Sequence, residues 1–356
     1  MEENKTVIIK ESKNRISVDY EGKASLKTRI LRKLKATHTW VKVLVSIFKF
    51  ILMLGVSYVI LFPFVSKIAG SFMSINDVVD ATVSLIPREP NVDIYKYLIV
   101  DNGYFTALGN TVLLSLICAL IQTFVSCLIG YGLAKFKFKG NKFLFVLVVV
   151  VMLIPHTALE QAMIMYFANF DVMIPVSFDR GLSGIVELIG GARIDIKDTF
   201  APYIIMSLGG LAFKNGLYIY LMRQFFKGVP DELEESAYVD GSGTFRTFLQ
   251  IILPLSVPMM ITVFLFSFSW QWTDVFYAEI FSWDDSISTM PSLLSTFYEK
   301  VPVHLENLYK DHSGYSIYKT VINNTAGIMI ILPLVILYLF CQRYLVQGIE
   351  RSGLVG

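Results

Sequence analysis

Metal binding and redox chemistry have almost no material to work with in this chain. Its 356 residues include three cysteines and four histidines. Cys118, Cys127 and Cys341 all lie in apolar runs, where a thiol packs as a small hydrophobe instead of bridging or ligating. His38, His156, His304 and His312 are too scattered to assemble a His/Cys cluster. Charge is scarce as well, at 17% of residues against 54% hydrophobic. A soluble domain of this length needs more charge, and the apolar excess here is gathered into long blocks. No G-x-x-x-x-G-K-[S/T] phosphate cradle occurs, which excludes nucleotide hydrolysis by this chain. G-x-S-x-G and H-E-x-x-H are also missing, and no pair of acids sits on a plausible common catalytic face. The sequence reads as a non-enzyme that binds no cofactor of its own.

What is present is a series of runs long enough to cross a bilayer, which takes about 20 residues of helix. Six are expected, from about Val43 to Val65, Phe105 to Leu133, Phe143 to Phe167, Phe200 to Met222, Ile251 to Phe276 and Val321 to Phe340. The third is interrupted by Pro155, His156 and Glu160. The fourth carries Lys214 beside Gly209, Gly210 and Gly216. The fold class is therefore all-α, a polytopic membrane protein of six transmembrane helices. No cleavable leader is expected, because the polar start from Met1 to Lys35 is followed by an apolar run without a small-x-small site.

Short loops set the orientation. Lys135, Lys137, Lys139 and Lys142 join the second and third runs with no acid among them, and Arg223, Lys227 and Arg246 flank the fourth-to-fifth connection. Together with the basic N-terminal arm, these regions are expected to face the cytoplasm, and six spans return the C-terminus to the same side. The long segments from Lys67 to Tyr104, Asp171 to Thr199 and Tyr277 to Lys319 then face outward. Residues 1–42 form a basic arm in which Leu26, Ile30 and Leu34 repeat at helical spacing among Lys and Arg. That pattern fits either an amphipathic helix on the anionic inner leaflet or a disordered arm. Residues 43–348 form the membrane domain, and residues 349–356 a cytoplasmic tail.

One polar stretch, residues 229–254, has a definite local logic. Pro230 suits the first position of a helix, where its missing N–H costs nothing. Asp231, Glu232, Glu234 and Glu235 set negative charge at the positive end of the helix dipole. Leu233, Ala237 and Tyr238 give the helix an apolar edge, Gly241 ends it, and Ser242 is placed to cap a second helix leading into the fifth run. A bent helix–turn–helix joined rigidly to a membrane helix is expected.

This stretch resembles the EAA loop of ABC importer permeases, whose pattern is E-A-A-x-x-x-G, nine residues, then I-x-L-P. Glu235, Ala237, Gly241, Ile251, Leu253 and Pro254 match at the family's spacing, and Ser236 replaces the first alanine. The segments 221–226, 132–138, 272–274 and 342–348 look like those of carbohydrate-type permeases related to the maltose importer's smaller permease. The likeness runs from about Phe50 to the C-terminus; the extended N-terminal arm and longer outer loops depart from the family. The resemblance implies a type I ABC importer permease fold in a bacterial cell membrane. It implies a second permease subunit, a dimeric ABC ATPase that holds the ATP and Mg, and an extracellular solute-binding protein. Membrane lipid is the other partner, and nucleic acid is not one. It also implies that Glu235 pairs with a basic residue of the ATPase, that Gly241 supplies the bend, and that Ser236, Ala237, Tyr238 and Asp240 belong to the docking surface.

Polar and aromatic residues within spans are candidates for the translocation path. Asn110, Gln122, Lys214, Trp270 and Gln271 are the ones singled out, with Glu160, Asn324, Phe268 and Trp272 beside them. Taken singly, each is more simply an interhelical hydrogen-bonding group or part of an interfacial aromatic belt. Aromatic density favours a sugar, and an oligosaccharide in particular. The alternatives are a non-sugar solute in the same permease class, or a carrier driven by an ion gradient. The latter calls for inverted repeats and acids at mid-membrane; no internal repeat is found, and such acids are nearly absent.

Overall fold

In lipid an apolar run satisfies its own backbone by coiling, and every regular element among the described residues is helical. The computed structural model describes residues 37–100, 102–168, 199–281, 287–293 and 315–351. The chain divides into two units, residues 1–66 and 67–356. In the first, helix α1 (Thr37–Ser71) presents Phe48, Ile51, Met53 and Val59 at its surface, as a lipid-facing helix does. Residues 25–36 of the expected amphipathic helix lie outside the described residues, as does the tail beyond residue 351.

The second unit opens with α2 (Ile75–Val79) and α3 (Asp93–Val100). Asp77 organises this segment. It completes a capping box with Ser74, and its carboxylate also accepts from the backbone N–H groups of Arg88 and Glu89. The long helices α4 (Tyr104–Lys135), α11 (Leu253–Trp272) and α13 (Tyr315–Arg351) follow the expected second, fifth and sixth runs.

The third and fourth runs are not single helices among the described residues, so six continuous spans are not confirmed. Four helices are long and apolar enough to cross a membrane among the described residues, or five if a bent pair counts as one. In the third run, α5 (Asn141–Leu153) ends at Pro155, a 3₁₀ turn covers His156–Leu159, and α6 (Glu160–Ala168) leaves at 95°. Proline removes a helix donor and clashes with the carbonyl four residues back, which is what breaks it here. In the fourth run, α7 (Ala201–Leu208) and α8 (Asn215–Lys227) are separated by residues 209–214. Both Gly210 (φ 69°) and Lys214 (φ 62°) adopt the left-handed region there, which no α-helix can continue through.

Helix α4 packs along α8 and α11, and α11 along α13. Close approach of α4 to α8 depends on Gly130, where an added Cβ would lie 2.7 Å from Met222 Cβ and 2.9 Å from the Arg223 backbone nitrogen. Small residues of this kind set helix distance in membranes, where lipid and side chains are equally apolar. Gly130→Val is therefore expected to destabilise the chain by about 1–3 kcal/mol. A lowered unfolding temperature of the detergent-purified chain would show it, and an unchanged one would mean the helices separate without cost.

The sequence places two further short helices, α9 (Glu232–Val239) and α10 (Thr244–Thr247), between α8 and α11, and α12 (Phe276–Phe281) after α11. A five-residue π segment, Phe248–Ile252, leads directly into α11. Its cause is Pro254, whose ring cannot tolerate the carbonyl of Gln250 in an ordinary α turn, so the backbone widens.

Candidate functional site

The loop between α8 and α11 is built as a rigid elbow. Helix α9 ends in Gly241 at φ 82°. Ser242 N–H donates to the Ala237 carbonyl at 2.9 Å and Gly241 N–H to the Tyr238 carbonyl at 3.0 Å. These are the two bonds of a Schellman cap. Because Ser242 serves that cap, it does not cap the next helix as expected. Gly243 takes the cap position in extended backbone, and the Ser242 hydroxyl instead accepts from Thr247 Oγ1 at 3.0 Å. Pro230 is likewise displaced from its expected place, preceding the cap residue Asp231.

Two anchors fix this elbow to the bundle. Tyr131 of α4 packs against Phe226 of α8 and against Phe248, with Met222 and Ile252 fully buried in the same cluster. The π segment thus carries Phe248 and Ile252 inward. Ile251 and Leu253 are partly buried against the cluster, and Pro254 is exposed. The second anchor is Lys135, the last residue of α4, whose side chain is buried while its ammonium reaches the Val229 carbonyl at 2.6 Å and the Asp231 carboxylate. That hydrogen bond, with the charge behind it, holds the Asp231 carboxyl below the usual carboxylate range. The tie therefore persists at neutral pH and is lost only as acid protonates Asp231.

Burial separates the two adjacent acids of α9. Glu234 turns inward and is buried, whereas Glu235 is exposed. Ala237 is buried at the base of the elbow, and Ser236 and Asp240 lie at the surface. Leu233, Tyr238, Val239 and Phe245 are exposed, so the elbow presents apolar side chains along with the exposed carboxylate of Glu235. Lys135, Tyr131 and Glu234 were not distinguishable as parts of this device from the motif alone.

At the breaks in the third and fourth runs lies a second feature, a cleft of about 420 Å³ lined by Pro155, His156, Phe213, Lys214, Asn215 and Phe276 among others. The Lys214 ammonium stands 4.9 Å from the Phe213 ring centre and 5.2 Å from that of Trp270. Phe213 and Trp270 are themselves 5.3 Å apart, and Trp270 is half exposed. His156 Nδ1 and the Tyr277 hydroxyl meet at 2.8 Å. Lys214 and Trp270, 56 residues apart, were both singled out in the sequence and are brought together here; Phe213 was the missing member.

Other candidates have structural partners. Gln122 accepts from Ser267 Oγ at 2.9 Å and donates to Ser207 Oγ at 3.2 Å, joining three helices within a buried interior. Asn110 donates to the Ser288 carbonyl at 2.9 Å. Gln271 turns toward Asp274 at 3.5 Å. Trp272 and Phe268 are buried and stack on each other, which removes them as sugar platforms. Gln122→Leu is expected to lower thermal stability, with two interhelical hydrogen bonds of about 0.6 kcal/mol each at stake. An unchanged apparent KM for cargo alongside that loss would separate packing from recognition.

Helices of this length, exposed apolar surfaces and interrupted spans define a polytopic α-helical membrane protein. Residues 122–351 match the family model described as binding-protein-dependent transport system inner membrane component, and the chain belongs to that family. It is 24% identical over 304 residues to the arabinooligosaccharides transport system permease protein AraQ of Halalkalibacterium halodurans, covering 85% of this chain and 93% of the relative. The maltodextrin transport system permease protein MalD of Streptococcus pneumoniae is 26% identical over 308 residues, covering 85% and 93%. Among solved structures, a bacterial ABC transporter involved in the import of the acidic polysaccharide alginate superposes with a TM-score of 0.63 at 20% identity, covering 85% of this chain and 96% of that one. That likeness is one of fold.

Proposed function

We propose that this chain is one of two permease subunits of an ATP-driven importer for oligosaccharides. The elbow at residues 229–254 would dock on an ATPase dimer carried by separate chains. A solute-binding protein would deliver cargo from outside, and both chain termini and the elbow would lie in the cytoplasm. The observation that supports this most is the elbow itself: an exposed Glu235 along with exposed apolar side chains, on a short helix capped rigidly and welded to three spans. Closure of an ATPase dimer against such a surface moves the spans as a body, and its differential contact in the two states drives alternating access. The sugar assignment draws on the cargo named for AraQ and MalD and on the Trp270–Phe213 pair.

Stimulated ATP hydrolysis and uptake by the reconstituted complex test this. Losing a hydrogen bond to a charged group costs about 1.5–3 kcal/mol, so Glu235→Ala should lower coupled hydrolysis roughly 10- to 100-fold while the complex still assembles. Uptake that continues without any ATPase subunit would overturn the reading and favour a gradient-driven carrier, a class that also uses broken spans.

A further inference from the structure

Lys214 sits in backbone that disfavours it. It is the one non-glycine residue among the described positions with positive φ, and such a conformation costs about 1–3 kcal/mol. The strain places a cation at the gap between two half-spans, over the faces of Phe213 and Trp270, and both separations fall within the reach of a cation–π contact. No described carboxylate lies within 4 Å of the ammonium. Asp274, the acid that follows α11, is already engaged by the Tyr277 N–H and the Gln271 amide. A cation set in a membrane segment with no described carboxylate beside it is expensive, and its natural complement is an arriving anion.

A second observation points the same way. Asn215 borders the cleft and is 1% exposed, yet neither its amide nitrogen nor its amide oxygen has a hydrogen-bond partner. A buried amide that is left open on both sides costs free energy until a donor and an acceptor are supplied. A sugar hydroxyl is both at once. The cleft therefore offers an unpartnered amide for hydroxyls and a positive charge with no described carboxylate beside it, and the half-exposed indole of Trp270 stands next to its lining, against Lys214, for the apolar face of a ring.

We infer that this cleft selects an oligosaccharide bearing carboxylates, a uronate-containing sugar, with Lys214 as the anion contact and Trp270 as the stacking surface. The inference rests on the importer reading and sharpens it. A neutral sugar would satisfy Trp270 and Asn215 but leave Lys214 unpaired, so discrimination falls on the carboxylate and not on the ring.

Trigalacturonate and its fully methyl-esterified form are the probes, since they share every ring and hydroxyl and differ in charge. The full chain in phosphatidylcholine nanodiscs is titrated with each while tryptophan fluorescence is followed, and Trp270→Phe identifies the part of the signal arising at the cleft. The acid is expected to bind at least tenfold more tightly than the ester. Lys214→Gln should bring the acid to the level of the ester and leave the ester unchanged. Lys214→Gly, which relieves the positive-φ strain, should melt at or above the parent temperature and lose the same preference, so misfolding cannot imitate the result. Equal binding of acid and ester, or a preference that survives both substitutions, overturns the inference. So does displacement of the acid by phosphatidylglycerol at membrane fractions, which would make Lys214 a lipid-phosphate contact. ATP-driven uptake of a neutral oligosaccharide with no acid preference would defeat the inference and leave the importer reading intact, whereas absence of coupled uptake for every sugar would defeat that reading instead.

Discussion

Gly241→Pro is expected to abolish ATP-coupled uptake while leaving the chain in the membrane. Proline is locked near φ −65°, and this position sits at 82°. The substitution also deletes the N–H that Gly241 donates to the Tyr238 carbonyl. Both the direction of the chain and one of the two cap bonds are lost, at a combined cost of about 3 kcal/mol or more. Since most of α9 is exposed, with only Glu234 and Ala237 buried, the damage should stay local, and the exposed Glu235 surface is misdirected instead of unfolded. Gly241→Ala gives the graded control, because a left-handed non-glycine residue costs about 1–2 kcal/mol. Uptake and ATP hydrolysis should fall in the order glycine, alanine, proline at equal membrane abundance. Normal transport by the proline variant would show that the elbow need not be rigid.

Trp272→Ala is expected to have the largest effect on stability. Trp272 is 1% exposed, stacks on Phe268 at 5.6 Å, and donates its indole N–H to the Ile330 carbonyl of α13 at 2.9 Å. Truncation leaves a large cavity between α11 and α13, and such changes cost about 3–5 kcal/mol. The abandoned carbonyl adds to this, by about 1–3 kcal/mol where it cannot rehydrate. Trp272→Phe refills most of the space and isolates the hydrogen bond. Thermal unfolding of the purified chain should rank parent, phenylalanine and alanine in that order. If alanine and phenylalanine melt together, packing is not what holds the two helices.

The sequence disclosed the elbow because its determinants are local. A glycine that ends an acidic helix, and a proline that opens an apolar run, act within one or two turns of themselves. Even so, the roles of Ser242 and Pro230 shifted, since Ser242 was claimed by the cap before it and the helix began two residues later than its proline suggested. Continuity of the third and fourth spans was misjudged for a different reason. Hydropathy counts apolar content over a window and is blind to a single residue with the wrong φ, so Lys214 read as a candidate within a continuous span when it also marks a gap. The partners of Gln122 lie 85 and 145 residues away and leave no trace in its neighbourhood. Polar residues were visible in the spans; which of them were already occupied was a property of the packing. The basic arm ahead of residue 37 and the segments 169–198 and 294–314 lie outside the described residues.

Lys135 has a mechanical consequence. It ends α4, yet it grips the carbonyl and carboxylate that begin the elbow, while the far end of the elbow runs on into α11. A push on Glu235 is therefore carried by three spans, α4 and α8 at the start of the elbow and α11 at its end, and not by α11 alone. A member held at both ends translates under load where one held at a single end would swing. Cutting the Lys135 grip leaves only the chain from α8 at that end, so a load on Glu235 should tilt the elbow more than it shifts it.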